Sequence, residues 1–194
     1  MGCRLPLNAR RLQSESTPTS GLALSAKLVS ERYCTGDNET FTYRVEIEAT
    51  VSNQTGRRLV IPLHARAISR VFLAKDVEGL RRGKLEADMS LTFMFSGGRA
   101  LTAGSFVEVP DGDAHQFAGT IRTVIPTALV PGQPLGLPTT GPHEMSIVLD
   151  LWTGSDKEAD RWRRHFGRSL WTDSLVSQPL HVVIPDRPTV ADCN

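Results

Sequence analysis

The strictest pattern in the sequence is the alternation of residues 41–51, FTYRVEIEATV. Every odd position is apolar or aromatic, and every even position is threonine, arginine or glutamate. Because successive side chains of a strand point to opposite faces, the pattern predicts a β-strand with one buried and one wet face. Strands of this kind are typical of antiparallel sheets, since parallel sheets are covered on both faces.

Short apolar stretches continue along the chain, separated by turn sequences such as DNE, SGG and PDGD. The predicted strands are 22–33, 41–51, 58–61, 67–74, 89–95, 105–109, 115–125, 144–152 and 179–184. Most of them have no helix between them, which argues against parallel β–α–β units. We therefore expect an all-β protein, an antiparallel Greek-key β-sandwich of about nine strands.

One long interruption separates the seventh and eighth predicted strands. Residues 126–142 contain five prolines, which a central strand does not tolerate. They predict a crossover between the two sheets rather than a linker, because only two strands and one helix follow. We expect one domain over residues 22–185, a polar N-terminal tether over 1–21 and a C-terminal tail over 186–194.

A short helix is predicted within residues 155–171, before the last strand. Ser155 and Glu158 form a capping box, and Gly167 is a natural terminator. Trp162 and Phe166 fall on one side at helical spacing, so they are expected to plug one end of the sandwich. Stacking on a base or a sugar is the alternative for these two rings.

The segment FTYRVEIEATVSNQTGRRLVIP, with the short strands that follow it, resembles immunoglobulin-like β-sandwich proteins of the bacterial secreted and cell-surface type. The resemblance covers the pattern of residues 22–185 and includes no motif specific to a characterised family. It implies a binding or structural module more often than an enzyme.

The first residues permit three interpretations. Gly2-Cys3 resembles the end of a bacterial lipobox, which makes Cys3 a candidate lipidation site. The same start resembles a dual-acylation signal, although Pro6 stands where serine or threonine is preferred. An ordinary start with a free thiol is the third. No apolar run approaches the ~18 residues that span a bilayer, so a membrane is expected only through such an anchor.

The other two cysteines predict a disulfide bond. If the nine strands alternate in direction, the first and the ninth end at the same pole. Cys34 follows the first strand, and Cys193 lies in the tail after the ninth. A bond between Cys34 and Cys193 suits an oxidising compartment, and we therefore favour the periplasm or cell surface over the cytoplasm.

Basic residues cluster in loops, although the formal net charge of the whole chain is only +1. No global field attracts nucleic acid, and no nucleic-acid partner is expected. The alternation of strands places three basic groups at one anion-facing pole: Arg57, Arg58, Arg81, Arg82, Lys84, Arg161, Arg163 and Arg164. Guanidinium groups there would suit phosphorylated headgroups, acidic polysaccharide or an acidic protein face. The alternative is a solvated rim that keeps the protein soluble.

Signatures of common catalytic, cofactor and metal sites are absent from the sequence, including G-x-S-x-G, HExxH, CxxC and a phosphate-binding glycine loop. The five histidines have no ligand-like spacing. We expect no cofactor and no metal. Asp111, Asp113 and His115 could offer ligands, but D-G-D between two strands favours a hairpin. Asn38 and Asn53 begin glycosylation sequons.

Three functions remain open on these grounds. The favoured one is a non-catalytic binding or interaction module that uses loops to bind a protein or a polysaccharide. The second is a structural accessory subunit that assembles by strand-edge contacts. The third is a hydrolytic enzyme with a site assembled from scattered residues, which a deep pocket holding a histidine beside a carboxylate would favour.

Overall fold

The computed structural model describes residues 21–35, 40–62, 68–90, 101–126, 138–186, 189 and 191. Within these residues the chain forms ten strands and two α-helices. The strands are β1 (Leu22–Thr35), β2 (Thr40–Asn53), β3 (Leu59–Ile61), β4 (Ile68–Ala74), β5 (Ala87–Ser90), β6 (Val107–Val109), β7 (Ala114–Pro126), β8 (Gly141–Asp150), β9 (Leu175–Val176) and β10 (Leu180–Ile184). The helices are α1 (Val77–Arg82) and α2 (Asp156–Phe166).

The ladders between these strands are antiparallel, as the wet-face alternation predicted. The first sheet has the order β1-β2-β7. The second sheet has the order β10-β8-β4-β5, with β9 also paired to β8. A separate two-stranded sheet joins β3 to β6.

The alternation in β2 is confirmed by burial. The six odd-numbered residues from Phe41 to Val51 are at most 1% exposed, while the even-numbered residues between them are half-buried. Inner residues of β4 and β8, such as Leu73 and Ile147, belong to the same core cluster. The two larger sheets therefore face each other across one core, which includes residues from both sides of the proline-rich segment.

Helix α1 was missed by sequence reasoning, which assigned residues 76–88 to a loop and expected a single helix. The Asp76 side chain accepts a hydrogen bond from Gly79 N at 2.6 Å and caps the first turn. Gly83 ends the helix with a φ of 67°, in the left-handed region that favours glycine. Leu80 packs against Phe72 and Val148 on the outer face of the second sheet, so this face is buried as well.

Helix α2 begins as predicted, because the Ser155 side chain accepts a hydrogen bond from Glu158 N. The Phe106 ring lies 4.7 Å from the Trp162 ring and 4.8 Å from the Phe166 ring, measured between centroids. Phe106 is buried and the other two rings are half-buried. The apolar side of α2 thus packs on the segment that leads into β6.

Some expectations differ from the structure or lie outside it. The strand expected at 105–109 is a turn of 3-10 helix at Ala103–Ser105 followed by the shorter β6. The strand expected at 89–95 begins as β5, and residues 91–100 lie outside the described residues. The same holds for residues 1–20, with Cys3, for 127–137 of the proline-rich segment, and for Cys193.

Candidate functional site

The structure does not bring the three predicted basic groups together at one pole. Helix α1, with Arg81 and Arg82, follows Ala74 of β4, which pairs with Glu144 near the start of β8. Helix α2 begins beyond Asp150, at the other end of β8. A ten-residue strand spans about 30 Å, so the single anion-facing pole is not formed. Strict alternation would make the fourth and eighth strands parallel, whereas β4 and β8 are antiparallel, so the segments that follow them lie at opposite ends of the sheet.

Several of the predicted basic side chains already have acidic partners. Arg58 pairs with Glu108 at 3.2 Å, and Arg82 pairs with Glu78 at 2.5 Å. Arg163 pairs with Asp160 at 3.0 Å. These exposed pairs add little stability, but they reduce the positive potential of each group.

A cleft of about 310 Å³ opens beside α1. Its lining residues are Lys75, Asp76, Glu78, Gly79, Arg82, Lys84 and Glu86. It therefore includes Arg82 and Lys84 from the predicted binding residues. Gly79 leaves little room for a side chain, because a Cβ atom there would lie 3.1 Å from Ala74 Cβ and 3.3 Å from the Lys84 carbonyl oxygen. The close approach of α1 to β4 forms this wall of the cleft.

Glu86 connects the cleft to a buried histidine. Its Oε2 atom lies 2.9 Å from Nε2 of His143, and it accepts hydrogen bonds from the Thr139 backbone N–H and hydroxyl at 3.0 and 2.9 Å. Lys75 Nζ lies 3.7 Å from the other Glu86 oxygen and 3.2 Å from His143 Nε2. Lys75 also donates to the Thr140 carbonyl oxygen at 3.1 Å. Three segments of the chain therefore meet at one carboxylate.

Both ring nitrogens of His143 have hydrogen-bond partners inside the protein. Nδ1 lies 2.9 Å from the Gly141 carbonyl oxygen, which can only accept, so Nδ1 carries a proton. Nε2 then either donates to Glu86 or accepts from Lys75. The imidazole is fully buried and does not line the cleft. His143 therefore stabilises the floor and has no free nitrogen to offer a ligand.

Glu86 is held in its ionised form. Burial raises the pKa of the carboxyl, but hydrogen bonds from Thr139 and His143 and the charge of Lys75 outweigh that effect, so the net pKa is lowered. The partners are 53 and 57 residues away in the sequence. No motif relates residues so far apart, and sequence reasoning missed this cluster. The only local signal is the short G-P-H-E run that begins β8.

Asp111 and Asn53 join two turns at the end of the first sheet. Asp111 accepts a hydrogen bond from Gly56 N at 2.8 Å, and Gly112 N donates to the Asn53 carbonyl oxygen at 2.9 Å. PDGD thus forms a turn but not the predicted hairpin, because the strands before and after it, β6 and β7, lie in different sheets. In the part of the chain that the structure describes, no group of three or more histidine, cysteine, aspartate or glutamate side chains could hold a metal ion.

Asn53 is fully buried, and its amide nitrogen donates to the carbonyl oxygens of Arg57 and Val109, both at 2.8 Å. Its Oδ1 accepts from the Thr55 backbone N–H and hydroxyl at 3.1 and 2.7 Å. Both amide hydrogens are used inside the protein. The Asn53 sequon is therefore closed to glycosylation in the folded state.

Cys34 lies beside the C-terminal segment, at the end of β1. The residue is buried and forms an isolated parallel bridge with Ala191. Thr35 N donates to the Ala191 carbonyl oxygen at 3.0 Å, and Ala191 N donates to the Tyr33 carbonyl oxygen at 2.8 Å. The chain thus passes β1 two residues before Cys193, which itself is not described.

The chain matches no known family model and shows no significant similarity to a curated protein. Among the described helices, neither has the length and apolar character needed to cross a membrane.

Proposed function

We propose that the protein is a non-catalytic binding module of the immunoglobulin-like β-sandwich type. In this proposal a protein or polysaccharide partner places an anionic group in the cleft beside α1. The facing antiparallel sheets and their common core support the fold assignment. The cleft supports the function, because it is a concave surface lined mostly by charged residues.

The proposal rests on one observation: the carboxylates that line this cleft have partners inside the protein, whereas an ammonium group has none among the described residues. Asp76 caps α1, Glu78 pairs with Arg82, and Glu86 is held by Thr139 and His143. Lys84 is exposed and makes no ion pair within the described ranges, and the Lys75 side chain is 45% exposed. The carboxylates are thus engaged, whereas an ammonium group is open to an anionic ligand.

The test compares Lys84→Glu with Arg164→Glu, a matched change on an exposed residue of α2. Polyglutamate and polygalacturonate serve as a peptide and a polysaccharide probe in calorimetric titrations. We expect wild type and Arg164→Glu to bind one of the probes and Lys84→Glu to lose that binding. Equal losses in both variants, or no binding of either probe to wild type, would refute the proposal. The probe that binds identifies the class of partner.

The hydrolytic alternative has His143 and Glu86 as its best candidate pair. Its difficulty is that the imidazole is fully buried and both ring nitrogens are occupied within the protein. A general base must come within hydrogen-bond reach of a substrate proton. The pair is better explained as a structural support for the binding cleft.

Strand-edge assembly needs an open edge, and β1, with 14 residues, is the longest described edge strand of the two larger sheets. The register of β1 shifts between Leu28 and Ser30, and the exposed residues Lys27, Glu31 and Arg32 lie on either side of this irregularity. Bulges and charged side chains are features that protect sheet edges from pairing with other chains. The binding module is therefore the better proposal.

We also propose the Cys34–Cys193 disulfide and, with it, an extracytoplasmic location. The support is the bridge between Cys34 and Ala191, two residues before the second cysteine. Such a bond would stabilise the fold by about 2 to 5 kcal/mol. Peptide mapping by mass spectrometry without reductant should find the linked pair, and lipid on Cys3 would appear in the same spectra. Free thiols at both positions would contradict the bond and favour the cytoplasm.

A further inference from the structure

Three arginines occupy directly paired positions on the three strands of the first sheet. Arg32 on β1 pairs with Arg44 on β2, and Arg44 pairs with Arg122 on β7. Arg44 lies on the face turned away from the core, because its neighbours Tyr43 and Val45 are core residues. Directly paired residues share one face, with Cβ atoms about 5 Å apart. We call Arg32 and Arg44 the arginine row.

The protein itself does not neutralise Arg32 and Arg44. Within the described ranges neither side chain forms an ion pair. The Nε atom of Arg44 is buried and has no hydrogen-bond acceptor. Glu46 is the next residue of β2 on this face, but its Oε2 accepts from the Ser30 hydroxyl at 2.8 Å. Like charges at paired positions and an unpaired buried N–H group both destabilise a fold.

We propose that the arginine row binds a tetrahedral oxyanion, the phosphate or sulfate group of a ligand. Such a group presents several oxygen acceptors, which match the fork of guanidinium donors and supply the acceptor that Arg44 Nε lacks. A phosphate monoester, with about −1.5 to −2 charge at neutral pH, also neutralises more of the row than a single carboxylate does. The row lies on the first sheet, whereas the cleft beside α1 belongs to the second. The inference therefore goes beyond the proposed function and does not depend on it.

The probes are inorganic phosphate and inorganic sulfate at millimolar concentration, with sodium chloride at matched ionic strength as the reference. We expect each oxyanion to raise the Tm of wild type above the chloride value. Arg44→Gln should lose this shift, and in chloride its Tm should exceed that of wild type because a like-charge contact has been removed. Arg164→Gln, a matched change on α2, should keep the shift. Phosphate and sulfate also stabilise proteins in general, and this effect is the same in all variants. The difference between the Tm shifts of the variants therefore measures binding to the arginine row.

A second variant and an NMR measurement test the proposal independently of Arg44→Gln. Arg32→Gln changes an exposed residue of an edge strand, so it should fold and should also lose the oxyanion-dependent shift. In NMR spectra, the Nε–Hε signal of Arg44 should move on addition of sulfate or phosphate, and the larger response identifies the preferred group. If both row variants keep the wild-type shift, or if Arg164→Gln loses it equally, the proposal is wrong. Because none of these changes touches the α1 cleft, the two proposals fail independently.

Discussion

Nε2 of His143 lies 2.9 Å from Oε2 of Glu86, although the two residues are 57 positions apart in the sequence. The contact ties the start of β8 to the turn before β5. Thr139 completes the arrangement with two hydrogen bonds to the same oxygen, which orders the chain entering β8. The partly exposed Glu86 carboxylate thus lines the α1 cleft, and the buried imidazole supports it from beneath.

Glu86→Gln should reduce the acid sensitivity of the fold. The pKa of Glu86 is lowered in the folded state, so its ionised form stabilises the protein at neutral pH. That contribution is complete above the ordinary glutamate pKa and is lost as the pH falls through the lower folded-state value. Urea unfolding over a pH series should show that the free energy of unfolding falls less steeply with decreasing pH in the variant than in wild type. At neutral pH the variant should be less stable by about 1 to 3 kcal/mol.

Glu78→Gln is the control for this change, since Glu78 is an exposed residue of the same cleft. Its stability at neutral pH should stay within about 1 kcal/mol of wild type, because an exposed ion pair contributes little. Parallel curves for wild type and Glu86→Gln would show that the Glu86 carboxylate contributes no pH dependence.

The chain's two tyrosines, Tyr33 and Tyr43, should resist ionisation in the folded state. Burial, followed by the charge of Glu31, raises the pKa of Tyr33 to about 12. The pKa of Tyr43 is raised by burial first, and then by its hydrogen bond to Glu31 and by the charges of Glu31 and Tyr33. At pH 10, where a free tyrosine is about half ionised, the phenolate absorbance of the folded protein should be small.

The same shift predicts a loss of stability in alkali. Because the folded-state pKa of Tyr33 is raised, its contribution is complete below the ordinary value of 10.0 and is lost as the pH rises toward about 12. The free energy of unfolding of Tyr33→Phe should therefore fall less than that of wild type between pH 10.0 and about pH 12. At neutral pH the variant loses the hydrogen bond to the Val183 carbonyl oxygen, which costs about 0.5 to 1.5 kcal/mol. Full phenolate absorbance at pH 10 without unfolding would contradict the prediction.

Asn53→Ala should be one of the most damaging single changes in the protein. It removes the donor to two carbonyl oxygens and the acceptor of two Thr55 hydrogens at a fully buried position. Each buried group left without a partner costs about 1 to 3 kcal/mol, so the free energy of unfolding should fall by at least 2 kcal/mol. Denaturant unfolding measures this loss. Gln54→Ala, at the exposed neighbouring position, should stay near the wild-type value, and similar values for the two variants would refute the role of Asn53.

Local patterns predicted the local structure well. The alternation of β2 fixed its buried face, and the capping box of α2 identified the first turn of that helix. Both depend on residues within a few positions of one another. Helix α1 was missed because its six residues are too short for a clear apolar period, and Leu80 is its only buried residue.

Long-range relationships could not be derived in the same way. The basic pole required the fourth and eighth strands to run in the same direction, whereas β4 and β8 are antiparallel. The arginine row depends on the pairing and register of β1 with β2, and the Glu86–His143 contact depends on the pairing of β4 with β5 and β8. A change of register by one residue would place a different residue opposite Arg44, so no composition or motif predicts either arrangement.

Trp162→Ala distinguishes packing of the α2 rings from ligand stacking. The Trp162 ring contacts buried Phe106 and stacks on Phe166 with a centroid distance of 5.8 Å. Because the ring is half-buried, its removal should lower the free energy of unfolding by about 2 to 3 kcal/mol, less than for a fully buried tryptophan. Trp162→Phe should recover part of this loss, and Arg161→Ala, at the exposed neighbouring position, should cost little. Chemical denaturation of the four proteins provides the comparison. If Trp162→Ala keeps wild-type stability, the ring is available for a sugar or a base, and the packing interpretation is wrong.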